Sequence, residues 1–301
     1  MAGNELPGTR CEGGTCDGRG NCQMALQQSC TNPSETGCGV VFLTGGSFVL
    51  GNGSAFRAMP VQEHISVGAY TLDAYEVTIA RFQRFWDAGH PAPTGAVVYP
   101  SGGVPWAGVV RAPRTAMEDN ACNFGAAGRV YHPVNCVDHA TAQAFCVWDG
   151  GRLPTEAEWE FAARQHLAAG VDAGRIYPWG PQPPAARCDR AQWNRCPGDD
   201  GGVTRRVGSF AQAAGFFDLA GNVWEWTIDR FALYADARCW GNVARSDPRC
   251  DANPSGYPTI RGGSWFSADP VLLMGASRDD AYAPTTQSPL VGFRCAHTRT
   301  R

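Results

Sequence analysis

Gly151-Arg152-Leu153-Pro154-Thr155-Glu156-Ala157-Glu158-Trp159-Glu160-Phe161-Ala162-Ala163-Arg164 is the stretch on which the reading of this chain turns. Thr155 with Glu158 three residues on forms a capping-box pattern, in which each side chain bonds the backbone N–H of the other. A short helix therefore runs from there to Arg164. Upstream, Asp138 to Trp148 reads as a second helix, capped by Asp138 and stopped by Gly150-Gly151. Val77 to Trp86 carries apolar residues at helical spacing and ends at Gly89, a third helix with a glycine stop. Val40-Val41-Phe42-Leu43 and Gly45 to Gly51 read as two short strands around a glycine turn. Ile65, Val67 and Tyr70-Thr71-Leu72 continue strand-like. Trp224 to Thr227 and Leu290 to Cys295 supply later strands, whereas residues 90–130, 165–215 and 230–258 read as loops. Few helices among short strands, with much of the chain irregular, make this an α+β domain.

Composition bounds the rest. With 44% hydrophobic residues a substantial core is available, and Gly 37 with Pro 21 and only 18% charged residues argue for many turns. A net charge of −3, with cations scattered as arginine, gives no case for nucleic acid or an anionic membrane. No apolar run approaches the length of a bilayer span. The 13 cysteines include no C-x-x-C, the tight pair that zinc sites use, so a disulfide framework in an oxidising compartment is expected. The location is thus extracytoplasmic, although the N-terminus Met1-Ala2-Gly3-Asn4 has no signal-peptide pattern. Residues 1–38 hold Cys11, Cys16, Cys22, Cys30 and Cys38 and read as a cystine-stapled lead-in or tether, with their pairing open; residues 39–301 form the domain proper. Cys188 with Cys196, and Cys239 with Cys250, stand close enough on loop segments to staple them, and Cys122 with Cys136 is a further plausible pair. The odd count leaves one thiol over.

Three more segments follow the first in fixed order: Gly221-Asn222-Val223-Trp224-Glu225-Trp226, Arg261-Gly262-Gly263-Ser264-Trp265 and Gly292-Phe293-Arg294-Cys295. With Gly151–Arg164 they resemble the formylglycine-generating enzyme family, the sulfatase-modifying factor domain, from about Val41 to His297. Weaker matches at Gly45–Gly51, Tyr75–Phe82, His132–Val134 and Tyr177–Gly180 agree with it. The resemblance implies a C-type-lectin-like fold with little regular secondary structure, stabilised by disulfides and calcium. It implies a bridge between Cys146 on the second helix and Cys295 on the last strand. Such a bridge closes a loop of about 150 residues, which the chain-entropy model values at roughly 4–5 kcal/mol. It also implies a calcium site of oxygen donors: the main-chain oxygens of Ala220, Gly221 and Val223 and the carboxylate of Glu225. A second calcium site would draw on Asp189, Asp199 and Asp200. Trp159, Trp224 and Trp226 read as core, and Arg152 with Glu160 as a buried pair.

Catalytic members of this family bind copper through two cysteines that follow the Gly-Gly-Ser turn. Here the first position is Ser267 and the second falls at or near Leu272, and no cysteine lies between Cys250 and Cys295. A soft Cu(I) ion prefers thiolates, so neither residue replaces the ligand and copper is not expected. Ser264 matches the family serine beside that site. The six histidines form no metal-binding cluster, and Ser264 sits in no nucleophile elbow. The expected function is therefore a non-catalytic binding module, a monomer whose loops around 264–289 and 90–130 recognise a carbohydrate, peptide or protein. Asp269, Arg278, Asp279, Asp280 and Tyr282 are candidates for the cleft. The alternative is an oxidoreductase or peptide-modifying enzyme using different chemistry in the same groove.

Overall fold

The computed structural model describes residues 10–11, 14–16, 22–24, 27–164, 175–186, 188–198, 203–212, 215–252 and 256–298. Three helices occupy the expected places: α1 (Ile79–Asp87), α2 (His139–Trp148) and α3 (Glu156–Arg164). Each begins where a side chain takes up a free N–H. Thr78 Oγ1 accepts from Arg81 N at 3.2 Å, and Asp138 Oδ1 from Thr141 N at 2.8 Å. At α3 the capping box closes both ways, with Glu158 N donating to Thr155 Oγ1 at 3.2 Å and Thr155 N to Glu158 Oε2 at 2.8 Å.

The largest sheet gathers three of the four signature segments. Its order is Arg278–Asp279, Pro258–Arg261, Trp224–Arg230, Val291–Gly292, antiparallel except for the last, parallel pairing. Its register sets Glu225 opposite Arg261 on one side and Gly292 on the other. Gly292 is required there, because a Cβ would stand 2.5 Å from the Val134 carbonyl. Two three-stranded sheets flank this one, in the orders Arg245–Ser246, Gln62–Val67, Gly46–Leu50 and Ala296–Thr298, Tyr70–Asp73, Val40–Leu43. The 90–130 segment, expected as loop throughout, contains a hairpin of Ala96–Tyr99 and Gly102–Pro105. Its alternation of buried Val97 and Tyr99 with exposed Ala96 and Val98 is a short period-2 signal that the surrounding Pro and Gly obscure.

Trp159 and Trp226 are wholly buried and Trp224 nearly so. Glutamates on α3 are buried beside arginines from other strands. Glu156 meets Arg261 at 3.0 Å and Arg278 at 2.7 Å, and Glu160 meets Arg261 at 2.8 Å. The expected Arg152–Glu160 pair is corrected: Arg152 pairs with Glu158 at 2.6 Å, because two residues of helix, roughly 200°, carry Glu160 to the opposite face, onto Arg261 and Arg164. Loop-rich packing of this kind leans on such pairs, since removing one partner strands a buried charge.

Five disulfides are present among the described residues: Cys30–Cys38, Cys122–Cys136, Cys146–Cys295, Cys188–Cys196 and Cys239–Cys250. The side chains of Cys11, Cys16 and Cys22 lie outside the described residues. Residues 27–38 are part of the body rather than a separate lead-in. Gln27 Nε2 donates to Asp73 Oδ1 at 2.5 Å, Ser29 N to Asp149 Oδ1 at 2.6 Å, and Arg81 Nε to Ser29 Oγ at 2.8 Å. Residues 27–38 therefore pack onto the rest of the domain. Among the described residues no helix is long and apolar enough to cross a membrane.

Candidate functional site

The Gly-Gly-Ser turn follows the Pro258–Arg261 strand. Gly262 and Gly263 both have positive φ, 96° and 76°, and a Cβ on Gly263 would lie 2.8 Å from Leu273 Cδ2 and 3.0 Å from the Leu272 carbonyl. Only glycine lets the turn and the following segment close on each other. Ser264 N donates to Ser267 Oγ at 3.0 Å, Ser267 N to Ser264 O at 3.0 Å, and Phe266 N to Ser264 Oγ at 3.3 Å. Both serines are buried, and the Ser267 hydroxyl serves as an acceptor that closes the turn. Asp269 Oδ1 caps the one-turn 3₁₀ helix Pro270–Leu273 by accepting from Val271 N at 2.9 Å. Leu272 packs its alkyl chain against the hydrophobic cluster around α1 and α2. One engaged hydroxyl and one alkyl group do not fit Cu(I).

Glu225 is buried in the central strand. Arg294 Nε approaches its two oxygens at 3.0 and 2.8 Å, Arg294 Nη2 donates to Oε1 at 2.8 Å, and Trp159 Nε1 donates to Oε2 at 2.7 Å. Two further carboxylates lie close by, and reading the sequence missed both. Glu76 accepts from Asn222 Nδ2 at 2.6 Å and Val223 N at 3.2 Å, while Asp218 accepts from Gly208 N at 2.6 Å and Phe210 N at 3.2 Å. Burial, then repulsion from Asp218 and Glu225, holds the Glu76 carboxyl well above its usual range. Burial likewise pushes Asp218 up to about 7, against the pull of its backbone donors and Arg294. Three carboxylates thus share one guanidinium, although among the described residues no group of three or more His, Cys, Asp or Glu side chains is placed to hold a metal ion. The Ala220 carbonyl already accepts from Gln212 Nε2 at 3.0 Å. Asp189 binds the backbone N–H of Ala185 at 2.9 Å; Asp199 and Asp200 lie outside the described residues.

The expected cleft residues do not come together. Arg278 is wholly buried, donates to the Ala232 carbonyl at 2.8 Å and to Glu156 at 2.7 Å, and lies over the rings of Phe231 and Tyr234. It is a core cation, and strand pairing with Ile260 and Arg261 is what carries this segment inward. Asp279 and Asp280 both engage Arg57, and Asp280 borders a shallow hollow with Leu233 and Asp236. Tyr282 is half-buried against the α1–α2 cluster with its hydroxyl on Ser288.

A different concavity lies where the 90–130 segment meets residues 284–285. It has a volume of about 350 Å³ and is walled by Val97, Val104, Ile228 and Pro284, with the first turns of α2 as its floor. Small residues leave the room: a Cβ on Gly108 would stand 2.5 Å from Ala140 Cβ, so this loop lies directly on the helix. His139 lines the cavity, and its Nε2 is 2.8 Å from the Thr227 carbonyl. Burial lowers its pKa to about 4, so it is neutral at physiological pH and Nε2 carries the proton. Arg111, held by Asp138 at 2.8 Å, and Arg230 stand in the wall, and among the described residues no Asp or Glu does. The one sequence signal was Gln143, a polar residue on the buried face of an alanine-rich helix.

Comparison with known proteins places these features in a family. Residues 26–299 match the model of the sulfatase-modifying factor enzyme 1-like domain. The chain is 32% identical over 296 residues to the formylglycine-generating enzyme of Streptomyces coelicolor, covering 86% of this chain and 89% of that protein. It is 37% identical over 171 residues to the inactive C-alpha-formylglycine-generating enzyme 2 of Bos taurus, covering 54% of this chain and 50% of that one. In fold it is similar to PvdO from Pseudomonas aeruginosa, with a TM-score of 0.59, 22% identity, and 97% of this chain and 98% of that one covered. The order of the four signature segments, the convergence of three of them in one sheet beside the helix formed by the fourth, and the match from residue 26 to 299 together make this chain a member of the sulfatase-modifying factor enzyme 1-like family.

Proposed function

We propose that the protein is a non-catalytic, extracytoplasmic binding member of its family, taking a carbohydrate, peptide or protein ligand between the 90–130 segment and the segment after Ser264. The observation that carries this reading is the state of the family's copper position. Ser267 Oγ closes the Ser264 turn and Leu272 packs into the core, so neither offers a soft donor. The 350 Å³ cavity at the junction of the two segments supports a binding role, since it falls in the size range of ligand sites. Five disulfides support an oxidising compartment.

Calcium belongs to the same proposal. The charge deficit around Glu76, Asp218 and Glu225 suits a hard cation, with the carbonyls of Gly221 and Val223 as further donors. Its role would be to hold the Gly221–Glu225 segment in place, not to react.

The test is direct. A cysteine-containing sulfatase-type peptide is incubated aerobically with the protein and copper and followed by mass spectrometry. The peptide is expected to stay unmodified. Conversion of its cysteine to formylglycine would restore the oxidase and end the non-catalytic reading.

A further inference from the structure

The cavity between the Ala96–Pro105 hairpin and α2 carries a donor pattern with no internal match. Gln143 lines it and is almost wholly buried, and its amide orientation is fixed: Oε1 accepts from Leu153 N at 3.0 Å and from the Tyr99 hydroxyl at 3.2 Å. Since a backbone N–H can only donate, the oxygen must face Leu153 and the Nε2 group must face away. That Nε2 has no acceptor among the described residues. Trp106, in the same lining, has a buried indole Nε1 that is also without one. Buried donors are paired in nearly all native structures, and an exception calls for an explanation. Both side chains stand in the cavity lining with their N–H atoms set back from its surface, so they mark a lining poor in acceptors.

The cations extend the pattern. The guanidinium of Arg230 has no hydrogen-bond or ion-pair partner among the described residues. Arg111 uses Nη1 on Asp138 and has further N–H groups to give. His139 adds no negative charge, and among the described residues no carboxylate lines the space. Around these groups the walls are apolar: Val97, Val104, Pro105 and Ile228. A neutral sugar would leave the cations idle, and a cationic ligand would meet them.

We propose that this cavity binds a bulky apolar group that ends in a carboxylate, supplied either by a free organic acid or by the last residue of a peptide. The carboxylate is taken by Arg230 and the remaining N–H groups of Arg111, and the apolar body lies against the valines and Ile228. Planar guanidinium donors suit a carboxylate because its two oxygens accept several bonds at once. This inference rests on the reading of the protein as a binding module and names the ligand chemistry of its cavity.

Four probes test it by calorimetric titration of the purified protein: 3-phenylpropionate and N-acetylphenylalanine, and the primary amide of each. The acids are expected to bind at least about tenfold more tightly than their amides, a difference the size of a charge-assisted hydrogen bond. Arg230→Gln is expected to remove most of that preference while leaving the melting temperature nearly unchanged. Binding of N-acetylphenylalanine alone identifies a peptide C-terminus as the source, and binding of both acids identifies a free acid. Equal binding of acids and amides, indifference to Arg230→Gln, or no binding of either acid would overturn the proposal. A glycan or internal peptide that binds equally well to wild type and Arg230→Gln would sink this inference and leave the binding-module reading intact. Formylglycine formation would sink that reading independently.

Discussion

Arg294 wraps Glu225: Nε and Nη2 reach Oε1 at 3.0 and 2.8 Å, and Nε also lies 2.8 Å from Oε2, with both side chains essentially inaccessible. The pair joins the Gly221–Trp226 signature to the Gly292–Cys295 signature. Arg294 also donates to the carbonyls of Asp73, Ala74 and Phe217, so one side chain ties four segments.

Replacing Arg294 by Met should therefore be severe. It leaves Glu225 buried without its cation, a loss of about 3–5 kcal/mol by analogy with other broken buried pairs, and it frees three carbonyls besides. Urea unfolding followed by tryptophan fluorescence gives the value. A midpoint equal to that of wild type would show the pair to be dispensable.

Calcium should raise the stability of the purified protein. An ion that binds only the native state adds about 2.7 kcal/mol at roughly a hundred times its dissociation constant. Chelation is expected to lower the melting temperature, and Glu225→Gln or Asp218→Asn to abolish that sensitivity. Identical melting curves with and without chelator would remove calcium from the account.

The Cys146–Cys295 bridge ties α2 to the segment before the last strand, across a sequence separation of 149. The chain-entropy model assigns roughly 4–5 kcal/mol to a loop of that size. Serine at either position should cut the yield of folded protein sharply, whereas serine at Cys11 or Cys16 should do less. Peptide mapping without reduction should recover the two cysteine peptides joined.

Stability should decline on the alkaline side through His297. Burial alone would lower the pKa of this imidazole. The hydrogen bond and charge of Asp73, with the Gly150 carbonyl and Asp149, outweigh burial and set it above the ordinary histidine value. Its contribution is complete below the unfolded pKa of about 6.5 and is lost as pH rises through the folded value. Asp73 works in the opposite sense. Burial would raise it, but Arg81 and His297 hold it below its usual range, so its contribution is lost only as pH falls through that lowered value. Denaturant midpoints measured from about pH 5 to about pH 9 should fall towards high pH in wild type and be flatter in His297→Asn. Parallel profiles would contradict the assignment.

Local rules carried much of this fold. The Thr155–Glu158 box, the Asp138 cap and the Gly150 stop are interactions within a few residues, so they can be read from a single chain. What could not be read was set by pairing at long range. Arg278 looks like an exposed loop cation, yet antiparallel pairing with Arg261 draws it onto Glu156. Glu76 and Asp218 stand 142 residues apart by number and meet only in three dimensions, so neither suggests an acidic site alone. The two segments that meet at the cavity were expected to bind, but its lining residues were missed for the same reason. Its hairpin, helix and strand are remote in sequence, and the residues that make room for it are alanine and glycine.

The sheet formed by Val40–Leu43, Tyr70–Asp73 and Ala296–Thr298 sets the first and last strands of the main body on either side of a common neighbour. Entry and exit of the polypeptide are therefore juxtaposed. A body built this way can be spliced into a surface loop of another protein, or joined end to end and reopened elsewhere, without crossing its own core.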